Sequence, residues 1–215
     1  FVEYEQRKIG FQEILREGMA PQRQVWISYL RRQFMKQRIP EALTVWKEIV
    51  SRGYADNALV NELVEFLMQR KQPEPAVEAW AGYKAGKTKG YPGEEKVFNG
   101  DFELEPAPSR FDWRIDRVAG VAVDFDRATK HAGERSLRLR FDGTQDLTDA
   151  GVHQSVWLKP GRYVFRAWVR AREVSTDEGV SFNLTSEAGP GPNFTTDPQR
   201  GSTDWKLVER AFAVQ

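Results

Sequence analysis

The spacing of apolar residues changes along the chain. Up to about residue 86 they recur every three or four positions, and beyond about residue 97 they alternate with polar ones. The first pattern is typical of amphipathic helices and the second of half-buried strands. Between them lies the helix-breaking, solvated sequence GKTKGYPG. We therefore predict a helical domain over 1–86, a linker over 87–96 and a strand domain over 97–215.

The helical part repeats itself. Apolar residues stand 34 residues apart, at the pairs Trp26/Val60, Tyr29/Leu63, Leu30/Val64, Ala42/Ala76, Trp46/Trp80 and Ile49/Tyr83. Pro40 and Pro75 fall near predicted helix starts, and Gly53 and Gly86 just past predicted helix ends. A further helix is predicted earlier in the chain, through Phe11 and Leu15. A fixed period of this length indicates stacked helical hairpins.

The strand part shows alternation most clearly over 163–170, where Tyr163, Phe165, Ala167 and Val169 form one row. This row is predicted to face the core, and its alternates the other side. Further strands are predicted over 97–103, 111–118, 120–126, 137–141, 152–158 and 205–214. Regularly spaced short strands without intervening helices indicate an antiparallel β-sandwich.

Composition narrows the classes of function. Lys and Arg number 32 and Asp and Glu 31, so the net charge of +1 gives no reason to expect nucleic acid or an anionic membrane as partner. The chain has no cysteine, which excludes disulfides and thiolate metal sites but is compatible with an oxidising compartment. It has no apolar run of about 18 residues, so no membrane-spanning segment is expected. Because a helical pattern is already running at Phe1, we interpret the sequence as a piece of a longer protein.

The sequence predicts a non-enzymatic protein. Only His131 and His153 could act as imidazole bases, and neither lies in a nucleophile-elbow or metal-ligand motif. Carboxylates are plentiful, but a catalytic acid/base pair cannot be selected from sequence alone. No cofactor is required by these features.

The 34-residue period, with Trp26 and Ala42, resembles tetratricopeptide repeats. The match is partial, because Leu30 stands where that family usually has Gly and Ile49 where it has a second Ala. The resemblance implies antiparallel helical hairpins that bind a protein or peptide partner. The aromatic side chains Trp26, Trp46 and Trp80 are expected in the core of the hairpins.

Four landmarks of the strand part occur in series: VFNGDFE from Val97 with Trp113 after it, HAGERSLRLRF from His131, GVHQSVWLKPGRYVFRAWVRA from Gly151 and DWKLVERAFAV from Asp204. Together they resemble carbohydrate-binding modules of families four and nine and their galactose-binding-like relatives. The closing strand of that family is missing from this sequence. The resemblance implies a jelly roll that binds carbohydrate without catalysis. The predicted fold class is therefore multidomain α plus all-β: helical hairpins followed by an antiparallel jelly-roll sandwich.

Sugars stack their C–H faces on exposed aromatic rings, beside side chains that hydrogen-bond hydroxyl groups. Strand parity directs five suitable side chains away from the core, and these are the predicted carbohydrate-binding residues: His153, Trp157, Arg166, Trp168 and Arg170. The alternative is that a loop or the helical part covers this face. Trp113 and Trp205 are instead expected in the core.

The family resemblance also implies a structural calcium ion. Glu103 matches its acidic ligand in the first strand, and the backbone carbonyls near Lys130–Gly133 match its second contribution. The third ligand, an acidic side chain of the closing strand, is absent from this sequence. Glu103 is the candidate metal ligand.

The leading hypothesis is a non-catalytic adaptor in polysaccharide handling at the bacterial cell envelope, periplasmic or extracellular. It would bind a polysaccharide or oligosaccharide through the strands and a protein through the helices. Two alternatives stay open. One is a pure protein–protein scaffold whose sandwich has no sugar site, and the other is an accessory region of a larger glycosidase.

Overall fold

The computed structural model describes residues 22–84, 90–187 and 191–215. The predicted helix through Phe11 and Leu15 and the predicted helix end at Gly86 lie outside these ranges. The chain divides into two compact units, described here one at a time. Unit 1 comprises Phe1–Asn99, Pro106–Arg114 and Val152–Ser155, and unit 2 comprises Gly100–Glu105, Ile115–Gly151 and Val156–Gln215.

Unit 1 contains four helices in its described part: α1 (Arg23–Met35), α2 (Ile39–Ser51), α3 (Asn57–Met68) and α4 (Pro73–Tyr83). Their ends follow local chemistry. The Asp56 carboxylate accepts the backbone N–H of Leu59 at 2.8 Å and caps α3. Proline occupies the first turn of α2 and of α4, and Gly53, at φ +69°, follows the end of α2. The prediction of helices up to about residue 85 is confirmed for the described residues.

The helices repeat at the predicted interval. The first helices of the two pairs begin at residues 23 and 57, and the second helices at 39 and 73, so each start recurs after 34 residues. Trp46 and Trp80 consequently occupy the same place in α2 and α4, and both are buried. The Trp46 indole N–H donates to the backbone carbonyl of Ala79 at 3.3 Å, which links the two helices.

Ion pairs join the first helix of each pair. Arg31 on α1 forms a two-pronged contact with Glu62 on α3, with Nε–Oε2 at 2.9 Å and Nη2–Oε1 at 2.7 Å. These hydrogen bonds raise the pKa of the Arg31 guanidinium above its ordinary value. Arg23 of α1 pairs through Nη2 with Asp56, the residue that caps α3, and its Nε donates to the carbonyl of Tyr54 at 2.9 Å.

Irregular segments complete unit 1. Phe98 packs edge-on against Trp80, with ring centroids 5.7 Å apart, and the Gln154 amide makes two hydrogen bonds to the Phe98 backbone, at 3.1 and 2.9 Å. The Asp112 carboxylate is 1% exposed and accepts the backbone N–H groups of Ala107 and Trp113, at 2.9 and 2.8 Å. Burial nevertheless raises the pKa of the Asp112 carboxyl above its usual value.

The described strands are antiparallel pairs: β2 with β3, β5 with β8, and β6 with β7. Their bounds, with those of the two-residue strands β1 and β4, are β1 (Arg114–Ile115), β2 (Val121–Asp126), β3 (Ser136–Phe141), β4 (Val152–His153), β5 (Gly161–Val174), β6 (Asn183–Thr185), β7 (Asn193–Thr195) and β8 (Gly201–Val214). Strands therefore follow helices as predicted, and no helix interrupts the described residues between 135 and 171. The two-sheet sandwich itself stays a prediction.

The inner face of β5–β8 carries an aromatic row. Tyr163 stacks on Phe212 with centroids 5.8 Å apart, and Phe212 contacts Phe194 of β7 at 5.6 Å. Phe165 contacts Phe182, just before β6, at 5.0 Å. The predicted inward row of β5 is confirmed, because Tyr163, Phe165, Ala167 and Val169 are half-buried while their neighbours are exposed.

Three strand predictions were wrong over most of their length. Residues 97–103 form turns and bends, because Asn99 and Phe102 adopt left-handed backbone conformations, at φ +52° and +59°. The strand predicted over 111–118 is limited to Arg114–Ile115, and the strand predicted over 152–158 is limited to Val152–His153. Val156, predicted to point inward there, is 39% exposed.

Candidate functional site

The outer face of β5–β8 holds the strongest candidate site in unit 2. On β5, every second residue from 162 to 172 is exposed, and these residues are Arg162, Val164, Arg166, Trp168, Arg170 and Arg172. In the antiparallel register Arg166 lies opposite Glu209 and Trp168 opposite Leu207. Directly opposed residues share a face, so this face combines one large aromatic ring with guanidinium groups on both sides.

Trp168 belongs to an aromatic cluster. Its ring stacks on His131, with centroids 4.0 Å apart and an interplanar angle of 13°, and Trp205 meets His131 edge-on at 5.6 Å. Trp168 is still 49% exposed. The stack with His131 restricts the rotamer of Trp168 without burying it, which lowers the entropy lost when a ligand orders the ring.

Two ion pairs flank the ring on this face. Arg166 Nε donates to Glu209 Oε2 at 2.5 Å, and Arg170 Nε lies 3.6 Å from Asp204 Oδ1. All four side chains are well exposed, so each pair contributes about 1 kcal/mol or less to stability. Their main effect is to hold charged, hydrogen-bonding groups beside the ring.

Three of the five predicted carbohydrate-binding residues are thus brought together: Arg166, Trp168 and Arg170. Trp157 lies in unit 2 but is half-buried, with Lys159 Nζ 5.7 Å from its ring centroid. It lies outside a strand, so the parity argument that directed it outward does not hold. His153 is exposed at the end of β4, in unit 1.

Sequence reasoning missed His131 and Trp205 as part of this cluster. Trp205 was expected in the core, but it is half-buried and contacts His131. Trp113 is also half-buried, and its indole N–H donates to the carbonyl of Asn99 at 2.9 Å. Strict alternation along β8 puts Trp205 on the same face as Leu207 and on the other face from Val208, which is buried. This parity was the signal in the sequence that Trp205 lies outside the core.

Glu103 has a structural role in unit 2. Its Oε1 accepts the backbone N–H of Glu134 at 2.7 Å and that of Arg135 at 3.4 Å. These are donors, whereas a calcium ion needs oxygen ligands around it. No group of three or more His, Cys, Asp or Glu suited to a metal occurs among the described residues. The hydrogen bonds of Glu103 Oε1 give this carboxylate a role without a metal, and the calcium ion implied by the family resemblance stays a prediction.

Arg135 reinforces the same connection. Its side chain is buried, Nε donates to the carbonyl of Phe102 at 2.5 Å, and the guanidinium lies 4.1 Å from the centroid of the Phe125 ring. A guanidinium over an aromatic face is a favourable cation–π contact, and Arg135 also pairs with Glu105. Segment 100–105 is thus fastened to the turn before β3 by side chains.

A shallow depression of about 360 Å³ lies at one end of the β2–β3 pair. Its lining includes one carboxylate, Asp142, beside Arg140. Hydrogen bonds from the Thr144 hydroxyl and backbone N–H, at 2.7 and 2.9 Å, hold the pKa of the Asp142 carboxyl below its usual value. A single ionised carboxylate does not make the acid/base pair that glycoside hydrolysis requires.

Comparison of the chain with models of protein families, with curated proteins and with solved structures found no match. Within the described ranges, none of the helices has the length and apolar character needed to cross a membrane.

Proposed function

We propose that this chain is a non-catalytic adaptor that binds carbohydrate through its strands and a protein partner through its helices. In this proposal the strand part is a jelly roll of the carbohydrate-binding-module type and the helices are tetratricopeptide-like. The 34-residue interval between helix starts supports the second assignment, and the series of four sequence landmarks supports the first. We place its role in polysaccharide handling at the bacterial cell envelope.

The observation that carries the proposal is the exposure of Trp168 on its stack with His131. A sugar ring presents a flat C–H face that packs on an indole, and its hydroxyl groups need donors and acceptors at the rim. Arg166 with Glu209 and Arg170 with Asp204 supply both kinds of group on the same face. The sugar is placed on the surface of the indole that His131 leaves exposed.

Isothermal titration against a panel of plant and bacterial polysaccharides tests the proposal. Trp168→Ala should weaken binding by at least about tenfold, because a central aromatic anchor carries a large share of binding energy. Binding by the wild type should also change the tryptophan fluorescence, and this change should shrink in the variant.

Trp157→Ala is the matched control, since it removes a tryptophan of the same unit that lies outside β5–β8 and is less exposed than Trp168. A larger loss for Trp157→Ala than for Trp168→Ala would move the site away from the outer face of β5–β8. Unchanged circular dichroism of both variants shows that the fold is intact.

A protein–protein scaffold is the second candidate. Val164 and Leu207 lie on the same outer face and are 47% and 43% exposed. Val164 lies opposite Ala211 and Leu207 opposite Trp168, so the face carries apolar side chains at two places, and exposed apolar surface favours protein contacts. If the folded wild type binds none of the glycans, the scaffold is the better assignment.

A further inference from the structure

The outer face of β5–β8 carries an excess of positive charge. Four of the six alternate positions on β5 are arginine: Arg162, Arg166, Arg170 and Arg172. Opposite them, the described ion pairs supply two carboxylates, those of Glu209 and Asp204. The whole chain has a net charge of only +1, so this excess is local and not a consequence of composition.

The carboxylates leave the guanidinium groups of Arg166 and Arg170 accessible to a ligand. The side chains of Arg166 and Glu209 are 64% and 47% exposed, and those of Arg170 and Asp204 are 45% and 87% exposed. Arg162 forms no ion pair in the described part of the chain. Exposed ion pairs of this kind are weak. A guanidinium has five N–H donors, and in both described pairs the contact to the carboxylate is made by Nε. An incoming carboxylate can therefore bind these arginines without breaking a strong contact.

The spacing brings the charges to the ring. Alternate residues of a strand are about 6.5–7 Å apart, and Trp168 lies between Arg166 and Arg170 in this row. A sugar stacked on the indole thus has a guanidinium on either side along the strand. Guanidinium groups bind carboxylates in a two-pronged geometry that hydroxyl groups do not match.

Resting on the proposed function, we infer that the carbohydrate bound at this face is acidic, a polysaccharide bearing uronate carboxylates. The indole binds the sugar face and Arg166 and Arg170 bind the carboxylates. Neutral polysaccharides should bind more weakly because they leave the arginine row with only hydroxyl partners.

The experiment titrates the full chain with polygalacturonate, with a neutral galactan and with dextran sulfate. Polygalacturonate should bind most tightly, and its affinity should fall between about 0.05 M and about 0.5 M NaCl because salt screens exposed charges. Arg166→Gln with Arg170→Gln should weaken that binding by roughly tenfold and weaken galactan binding much less, because glutamine keeps a hydrogen-bond donor for hydroxyl groups but has no charge for a carboxylate. Arg140→Gln is the control, since it removes an equally exposed arginine from β3.

The outcomes separate the two proposals. Galactan binding that depends on Trp168, with no preference for polygalacturonate, overturns the inference and leaves the proposed function standing. Dextran sulfate binding as tight as polygalacturonate, or an equal loss in Arg140→Gln, shows a general polyanion effect and also overturns it. No binding to any of the three, with binding to another polysaccharide of the panel, overturns the inference alone, and no binding to any glycan of the panel by the folded chain overturns both.

Discussion

The two units use tryptophan in opposite ways. In unit 1, Trp80 of α4 has no exposed surface, because the neighbouring helices and Phe98 cover it. In unit 2, Trp168 keeps 49% of its surface exposed, although it stacks on His131. Packed helical hairpins cover a side chain from several directions, whereas a side chain on the outer face of a strand pair has no second layer of structure over it. The comparison shows that an aromatic residue stabilises the fold in one unit and is available for binding in the other.

The largest expected effect separates these two tryptophans. Trp80→Ala should lower the free energy of unfolding by about 3–5 kcal/mol, because it leaves a cavity in a closed core. Trp168→Ala should lower it by less than about 1 kcal/mol, since the residue is half-exposed. Urea unfolding followed by circular dichroism measures both. Equal losses for the two variants would contradict the comparison.

An intermediate effect is expected at the turn that Glu103 fastens in unit 2. Gly133 has φ +68°, and an added Cβ would collide with Glu103 Oε1. Gly133→Ala should therefore cost about 2 kcal/mol, partly as backbone strain and partly through displacement of the carboxylate. The measurement is the urea midpoint of the variant.

A double-mutant cycle isolates the contribution of Glu103. Glu103→Ala alone should cost about 1 kcal/mol through its lost hydrogen bonds. Combined with Gly133→Ala it should cost less than the sum of the single losses, because the collision is gone. Strict additivity would show that the collision with the Glu103 carboxylate contributes nothing to the loss in Gly133→Ala.

The smallest effect concerns the buried Asp112 of unit 1 and depends on pH. Burial raises the pKa of its carboxyl in the folded state, so folding favours the protonated form. This stabilisation is complete below the unfolded pKa of about 4 and is lost as the pH rises through the folded pKa. Relative to Asp112→Asn, which does not titrate, the wild type should lose stability as the pH rises from about 4. A difference that is constant with pH, or grows in the opposite sense, would refute this.

The helices and the long strand β5 could be predicted because their apolar periods are local. Trp46 and Trp80 recur at the same place in α2 and α4, and the alternation of β5 gives the exposure of Trp168 directly. The same kind of alternation over 152–158 led to a wrong strand prediction. There the side-chain amide of Gln154 makes hydrogen bonds to the backbone of Phe98, and the strand ends at His153. Such a contact between distant residues leaves no period in the sequence.

The site could be predicted only in part for the same reason. Arg166 and Arg170 follow from the parity of β5, but the stack of His131 on Trp168 joins a loop to a strand. A carboxylate that accepts N–H groups and one that binds a metal look alike in sequence, so the hydrogen bonds of Glu103 could not be predicted. The backbone donors of Glu134 and Arg135 become visible only in three dimensions.

Along the chain, β6 and β7 lie between the paired strands β5 and β8, so the pairings are nested in sequence, and this has a consequence for folding. From the inside outward, the described pairings run Thr185 with Asn193, Asn183 with Thr195, Val180 with Gln199, Val174 with Gly201 and finally Gly161 with Val214. Each pairing encloses the one before it, so each closes only a short additional loop once the inner one has formed. Because the entropy cost of closure grows with loop length, the order of lowest cost starts at the small inner hairpin. The long ladder that presents Trp168 can therefore form as a zipper, and its contacts between residues distant in sequence need not slow folding as much as their separation alone would suggest.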